Sequence, residues 1–328
     1  MNRRFLPLLT TTGVFVAGYL FCMAEFHNFA TARVACNLLT DNAYLGITAV
    51  GMTFVILSGG IDLSVGSVIA FTTVFLAIAI GRMQLPPMMA FLMVLVIGAA
   101  FGAAMGAAIH ALRIPPFIVT LAGMFLARGV SFLLSTESVP IAHPLYTALN
   151  DLSLPMWGGR LSLIAMVMLL VFVAGGILAH RTRFGANVFA LGGNPASARL
   201  MGVPVGRTLI LIYMLSGGLA ALSGIIFSLY TSAGYSLAAT GTELDAIAAV
   251  VIGGVLLTGG YGYVFGTFVG ILIQGLIQTF ITFDGTLSSW WTKIAVGILL
   301  FSFIGIQRLF QVFWSGREDI DTAQRHVF

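Results

Sequence analysis

Residues 88–110, MMAFLMVLVIGAAFGAAMGAAIH, contain no aspartate, glutamate, lysine or arginine, and similar stretches recur along the chain. An apolar run of about 20 residues can cross the ~30 Å hydrocarbon layer of a bilayer as a helix. In lipid every backbone N–H and C=O must find an internal partner, which leaves helical bundles and closed β-barrels as spanning folds. Barrel strands alternate apolar and polar residues, whereas these runs do not alternate, so a bundle is expected. Of 328 residues 59% are hydrophobic and 8% charged, against about 25% charged in soluble domains. The whole chain, 1–328, reads as one all-α, polytopic transmembrane domain, and no second domain is expected in the short charged tail after Trp314.

About ten spans are predicted, at 5–23, 43–57, 65–81, 88–110, 116–135, 161–179, 208–230, 244–258, 264–282 and 291–313. The second and eighth are short for a bilayer core. The opening Met1-Asn2-Arg3-Arg4 has the charge pattern of a signal peptide. Its apolar run is too long and lacks an A-x-A cleavage site, so it is expected to stay as the first span. With Arg3 and Arg4 inside, parity places Arg113, Arg181, Arg183, Arg199, Arg207, Arg308, Arg317 and Arg325 inside as well. Arg33, Arg82, Arg128, Arg160 and Lys293 then fall outside or in the outer half. This bias predicts both termini in the cytoplasm, and it accounts for the net charge of +4 without nucleic acid. The longest outer loop, 136–160, carries Glu137, His143, Asp151 and Trp157; it reads either as a contact for a soluble partner or as a solvated connector. Cys22 and Cys36, the only cysteines, lie in or beside apolar segments and indicate no disulfide framework.

One polar island interrupts this hydrocarbon-soluble sequence. The stretch 181–207, RTRFGANVFALGGNPASARLMGVPVGR, has four arginines and no acidic residue. Gly192-Gly193-Asn194-Pro195 reads as a turn, followed by a short helix over Ala196–Met201 that Gly202 and Val203-Pro204 stop. Such a helix is too short to cross and too well capped to be a mere linker. It is expected to dock into a partner on the cytoplasmic face and pass movement into the membrane, with Gly193, Asn194, Pro195, Ala198, Arg199 and Gly202 as the coupling residues.

The chain also repeats itself. Ala49-Val50, Val55, Leu57, Gly59-Gly60 and Gly66 recur as Ala249-Val250, Val255, Leu257, Gly259-Gly260 and Gly266, an offset of 200. Shared glycines at equal spacing imply one backbone shape used twice, a span that breaks at Gly-Gly and soon resumes. Paired interrupted spans point to a substrate path between repeats. Gly98, Gly102 and Gly106, and likewise Gly262, Gly266 and Gly270, form small-residue ridges for close helix packing. Pro115-Pro116 suits the first turn of a helix.

Several polar residues are candidates for the path. Asp62, with Ser58 and Ser64, sits in the first break, where a carboxylate at membrane depth costs about 2.5–3.5 kcal/mol and must face a cavity or a partner. It reads either as path lining or as a cap for the resuming helix. Asn42 beside Asp41, and Glu243 with Asp245, stand at helix starts, where capping is the expected role. Gln274 and Gln278, spaced i, i+4, would either meet hydroxyls of a passing sugar or bond a neighbouring helix. Trp290 and Trp291 would stack on a sugar ring or anchor at the interface.

What is missing narrows the function. The single lysine, Lys293, follows no glycine loop, so a P-loop is absent and ATP is not hydrolysed here by that route. The five histidines are scattered without H-E-x-x-H, no G-x-S-x-G nucleophile stands beside a suitable His and Asp, and no chain of ionisable groups suggests a proton relay. No metal site or catalytic residue is expected.

The stretch Ser58-Gly59-Gly60-Ile61-Asp62-Leu63-Ser64-Val65-Gly66-Ser67 resembles the signature of the membrane subunits of ribose-type bacterial ABC sugar importers. Phe184-Gly185, Ala190 to Pro195 and Ala198 to Val203 are similar to their cytoplasmic coupling segment, although Ser197 replaces a frequent second alanine. Within that family Phe283 to Lys293 and Arg4-Phe5-Leu6-Pro7 favour the galactofuranose branch. The resemblance covers essentially the whole chain. It implies a separate ATPase subunit that binds ATP and Mg, a periplasmic sugar-binding protein, a second homologous permease forming a heterodimer, and residence in the inner membrane. A branched-chain amino acid permease of like architecture, a stand-alone secondary transporter or facilitator, and a membrane enzyme acting on lipid-linked sugars are the other readings. The last would need more loop carboxylates or histidines than Glu137, His143 and Asp151.

Overall fold

The computed structural model describes residues 6–156 and 158–305. Arg3, Arg4, Phe5, Trp157, Arg308, Arg317, Arg325 and the end of the tenth predicted span lie outside the described residues, as do the two termini.

Helices dominate, as the apolar runs require. α1 (Leu6–Glu25) is followed by α2 (Ala32–Asp41) and α3 (Ala43–Leu57), which meet at a 56° bend, and by α4 (Val65–Gly81). Next come α5 (Pro87–Leu112) and α6 (Pro116–Leu134), each with proline in its first turn, where the missing N–H costs nothing. A short α7 (Pro144–Asp151) and small strands lead to α8 (Leu163–Arg181), α9 (Arg183–Gly193), α10 (Pro195–Leu200) and α11 (Val205–Thr231). α12 (Thr242–Ile252), α13 (Val264–Asp284) and α14 (Trp290–Gly305) complete the described chain.

Among the described residues six helices are long and apolar enough to cross a membrane, namely α1, α5, α6, α8, α11 and α13, and the bent α2–α3 pair, taken as one span, makes a seventh. The other predicted spans correspond to α4 and α12, which are shorter, and to α14, whose described part runs to Gly305. The eighth differs most from expectation. It was predicted to run to residue 258, but the helix ends at Ile252 because Gly253-Gly254 closes it, with Gly254 at φ +87°. Gly254 and Val255 donate to Val251 and Val250, the paired bonds of a Schellman ending.

The centre of the bundle is α11, which packs along α5, α3 and α4. Glycines set these distances. A Cβ on Gly98 would lie 2.6 Å from the Gly217 carbonyl oxygen, and one on Gly106 would lie 2.8 Å from the Ile210 Cα. The first ridge therefore works as predicted, with helix backbones in direct contact. In the second, Gly266 and Gly270 face the α12 backbone, while Gly262 (φ +154°) lies outside any helix. Cys22 and Cys36 are buried and free.

The bundle has two distinct ends. At one, the 139–140 strand pairs antiparallel with 233–234, and the 153–156/159–162 hairpin packs against the start of α2. Arg82, Arg33 and Arg160 belong to the segments at this end. At the other, α8 turns into α9 and α10 beside the ends of α3 and α5, bringing together the segments that carry Arg113, Arg181, Arg183, Arg199 and Arg207.

Candidate functional site

The predicted turn at Gly192-Gly193-Asn194-Pro195 is narrower than the sequence suggests. Gly192 and Gly193 are the last residues of α9, and the corner is made by Asn194 alone, in extended conformation. Thr182 caps α9 by accepting from the Gly185 N–H, and the Asn194 Oδ1 caps α10 by accepting from the Ser197 N–H at 3.0 Å. Pro195 occupies the first helical position. Gly202 (φ +81°) and Val203 then donate to Arg199 and Ala198, so α10 ends as predicted. The corner is thus a rigid, doubly capped elbow, with Val188 and Leu191 of α9 and Ala198 of α10 buried.

Its tip points away from the bundle. Leu200 is 90% and Met201 71% exposed, beside exposed Arg199. Gly193 and Gly202 have open space where a Cβ would stand. These two apolar side chains were not among the coupling residues expected from sequence. Only their exposure distinguishes them from the many buried leucines and methionines, and sequence does not show that exposure.

The inner side of the elbow meets both breaks. Gly260 donates its N–H to the Leu57 carbonyl at 2.8 Å. Gly192 lies against both groups, so a Cβ there would run into the Leu57 oxygen and sit 2.5 Å from the Gly260 nitrogen. A Cβ on Gly259 would in turn lie 2.7 Å from the Gly59 nitrogen and 3.1 Å from the Gly192 Cα. Three segments distant in sequence therefore touch through bare backbone. Gly192 is the contact that sequence reasoning missed, because a Gly-Gly pair is an ordinary turn signal.

The first break ends α3 with another Schellman pair, Gly59 to Ile56 and Gly60 to Val55. Asp62 beyond it is fully buried and lines no open space. Its Oδ1 accepts from the Ser64 N–H at 2.9 Å and the Ser64 hydroxyl at 2.7 Å, and its Oδ2 accepts from Ser216 of α11 at 2.7 Å. Ser58 donates to the Val55 carbonyl. Thr120 of α6 donates to the Ile61 carbonyl at 3.2 Å. The buried hydroxyl of Tyr213, beside Gly60, has no hydrogen-bond partner among the described residues.

The remaining candidates lie on α13 or beside it. Asn42 makes no cap. It fills the α2–α3 bend, donates to the Leu38 carbonyl at 2.9 Å and packs on Gly275. Gln274 is buried and donates to the Asp245 carbonyl of α12, whereas Gln278 is exposed. Trp290 and Trp291 are exposed at the start of α14. Glu243 and Asp245 occupy the first turn of α12, where the helix dipole favours them, and Asp245 pairs with Lys293 at 2.6 Å. Asp41 accepts from the Tyr230 hydroxyl. Among the described residues no group of three His, Cys, Asp or Glu side chains is placed to hold a metal ion.

A lipid-compatible bundle with paired interruptions and a capped elbow beneath them has the architecture of a membrane transport protein. Comparison with known proteins narrows the class. The family model described as the permease component of branched-chain amino acid transport systems matches residues 34–304, and the chain belongs to that family. It is 64% identical to the inner membrane ABC transporter permease protein YjfF of Escherichia coli (strain K12), over 100% of this chain and 99% of that protein. It is 36% identical to the fructose import permease protein FruG of Bifidobacterium longum, over 94% and 92% of the two chains. Identity to the ribose import permease protein RbsC of Escherichia coli (strain K12) is 38%, over 83% and 85%. No solved structure matches the chain. It is a multi-pass protein of the inner membrane.

Proposed function

We propose that this chain is the membrane-spanning subunit of an ATP-driven ABC importer that carries a monosaccharide, galactofuranose or a related furanose or pentose, into the cytoplasm. The observation that carries the reading is the elbow itself. It offers Leu200 and Met201 outward and rests on both helix breaks inward, so a push at the tip reaches the interrupted spans. Two apolar side chains on a rigid, basic tip suit a groove on a separate ATPase subunit, which would bind ATP and Mg. The clustering of Arg113, Arg181, Arg183, Arg199 and Arg207 at the elbow end supports a cytoplasmic location for it and ten spans with both termini inside. A second homologous permease and a periplasmic sugar-binding protein would complete the assembly.

The named relatives for fructose and ribose favour a sugar. The family description favours a branched-chain amino acid. The stretch Phe283 to Lys293 favours the galactofuranose branch. Solute hydroxyls would meet Gln278, Trp290, Trp291 and the breaks, including Ser58 and Ser64, only once the bundle opens, and Asp62 would act from behind that surface. A stand-alone facilitator would need gates of its own.

Three experiments test this. Purification from solubilised membranes should bring down an ATPase, a second permease and a soluble protein loaded with sugar; a soluble partner holding an amino acid would move the substrate to the runner-up. Reconstituted vesicles should take up solute only with the ATPase present, and uptake without it would replace the importer by the facilitator. Leu200→Asp with Met201→Asp should abolish ATPase capture while leaving the melting temperature of the isolated subunit within about 1 °C, since exposed substitutions change stability by less than about 0.5 kcal/mol.

A further inference from the structure

Asp62 is fully buried, and the ion pair found among the described residues, Asp245–Lys293, lies elsewhere. A carboxylate at such depth is held by hydrogen bonds, and those of Asp62 divide cleanly. Both bonds to Ser64 reach Oδ1 and close a local turn between Asp62 and the start of α4. Oδ2 contributes nothing to that turn. Its bond to Ser216 leaves the break and crosses to α11. There Gly51 lets α3 approach closely, for a Cβ on it would lie 3.2 Å from the Ser216 Cα.

The connection closes a mechanical ring. From Gly192 of α9 it passes to the Leu57–Gly260 bond, along the first break to Asp62, across to Ser216, and down α11 to α10 and the elbow. All but one of these steps are covalent chain or backbone contact. The side-chain bond is the step a small substitution can open. We infer that the Asp62–Ser216 bond is a positioning link that makes the first break travel with α11 when the elbow moves, so coupled transport depends on it although neither residue touches solute. A hydroxyl-to-carboxylate bond at a fully buried carboxylate is among the stronger hydrogen bonds available, and its loss removes the Ser216 donor from Oδ2.

The inference rests on the importer reading above, and its test separates the two. The full complex is reconstituted in vesicles, and uptake and ATP hydrolysis are measured on the same samples. Ser216→Ala should raise the ATP consumed per solute imported about tenfold, the change expected when roughly 1.4 kcal/mol of coupling is lost. Subunit content and maximal ATP hydrolysis should stay within about twofold, a scale well below that tenfold step. Ser216→Thr should restore the wild-type ratio, because it keeps the hydroxyl. Tyr213→Phe, which lies beside the same break but removes a hydroxyl without a partner, should leave the ratio unchanged. If Ser216→Ala does not assemble, Ser216→Cys, nearly isosteric and a weak donor, should show the same rise. An unchanged ratio in Ser216→Ala or Cys, or an equal rise in Tyr213→Phe, overturns the link while a coupled wild type leaves the importer intact. Wild-type uptake without the ATPase overturns the importer itself.

Discussion

The two copies of the Gly-Gly motif share a glycine frame and do different things with it. In the first copy α3 runs to Leu57, and α4 then leaves it to pack on α11 and α6. In the second copy α12 stops five positions earlier in register, at Ile252, and α13 folds back along it. The fillers between the shared residues explain the divergence. Thr53-Phe54 continues the first helix where Gly253-Gly254 ends the second. Gly266 and Gly270 then let α13 meet the α12 backbone at Gly253 and Ala249. Position 70 is alanine, and Gly66 faces Glu243 and the Ala239 carbonyl instead. Asp62 bonds its break to α11, whereas the corresponding Gly262 has no side chain to offer. Repetition of glycines therefore reproduces a turn, while the residues between them choose its neighbours.

The largest expected effect falls where the two copies meet. Gly192→Val places a Cβ against the Leu57 and Gly260 backbones, neither of which can rotate away. It should cost about 3 kcal/mol or more, seen as loss of monodisperse protein on size exclusion, while Gly193→Ala, facing open space, should be near neutral. If Gly192→Val is as stable as wild type, the breaks do not touch the elbow as described.

Copying the second break into the first, Asp62→Gly, leaves the Ser64 N–H and the Ser216 hydroxyl buried without their acceptor. A loss of about 2–3 kcal/mol is expected, read as a lower melting temperature in detergent; no change would mean the carboxylate does not organise the break. The reverse pressure on the second copy is milder. Gly253→Ala brings a methyl 2.5 Å from the Gly266 carbonyl carbon and should cost about 1–3 kcal/mol as α12 and α13 separate. Ala70→Gly in the first copy should cost about 1–2 kcal/mol, the ~1 kcal/mol of glycine in a helix plus the loss of one fully buried methyl. The smallest effect belongs to Asp245→Asn. Its pair with Lys293 is partly exposed, with relative exposures of 53% for Lys293 and 26% for Asp245. At most about 1 kcal/mol should be lost, and the difference should vanish in high salt.

Much of this molecule was legible along the chain. The long spans, the proline start of α6, the short helix after Asn194 and its stop at Gly202 follow from local rules that operate within a turn or two. The repeat was visible because glycine spacing survives where side chains differ. The early end of α12 had a signal in Gly253-Gly254, but the apolar residues that follow through Leu257 masked it. The misread turn at Gly192 has another cause. Its glycines serve a contact with Leu57 and Gly260, far away in sequence, and nothing in the neighbouring residues announces that. Asn42 likewise reads as a cap for the helix it precedes, yet its amide bonds the end of α2 and its side chain packs on Gly275.

By itself, the sequence determined that the chain must live in lipid as helices, where most of those helices start and stop, and which segment stays polar. These are consequences of hydrogen-bond satisfaction and of backbone freedom at glycine and proline, which act locally. Only the tertiary structure decided that the two breaks and the elbow share one backbone contact, that Asp62 accepts from Ser216 of α11, and that Leu200 and Met201 are left uncovered. Those outcomes depend on which helices lie side by side, because packing distance and exposure arise between segments and are carried by none of them alone.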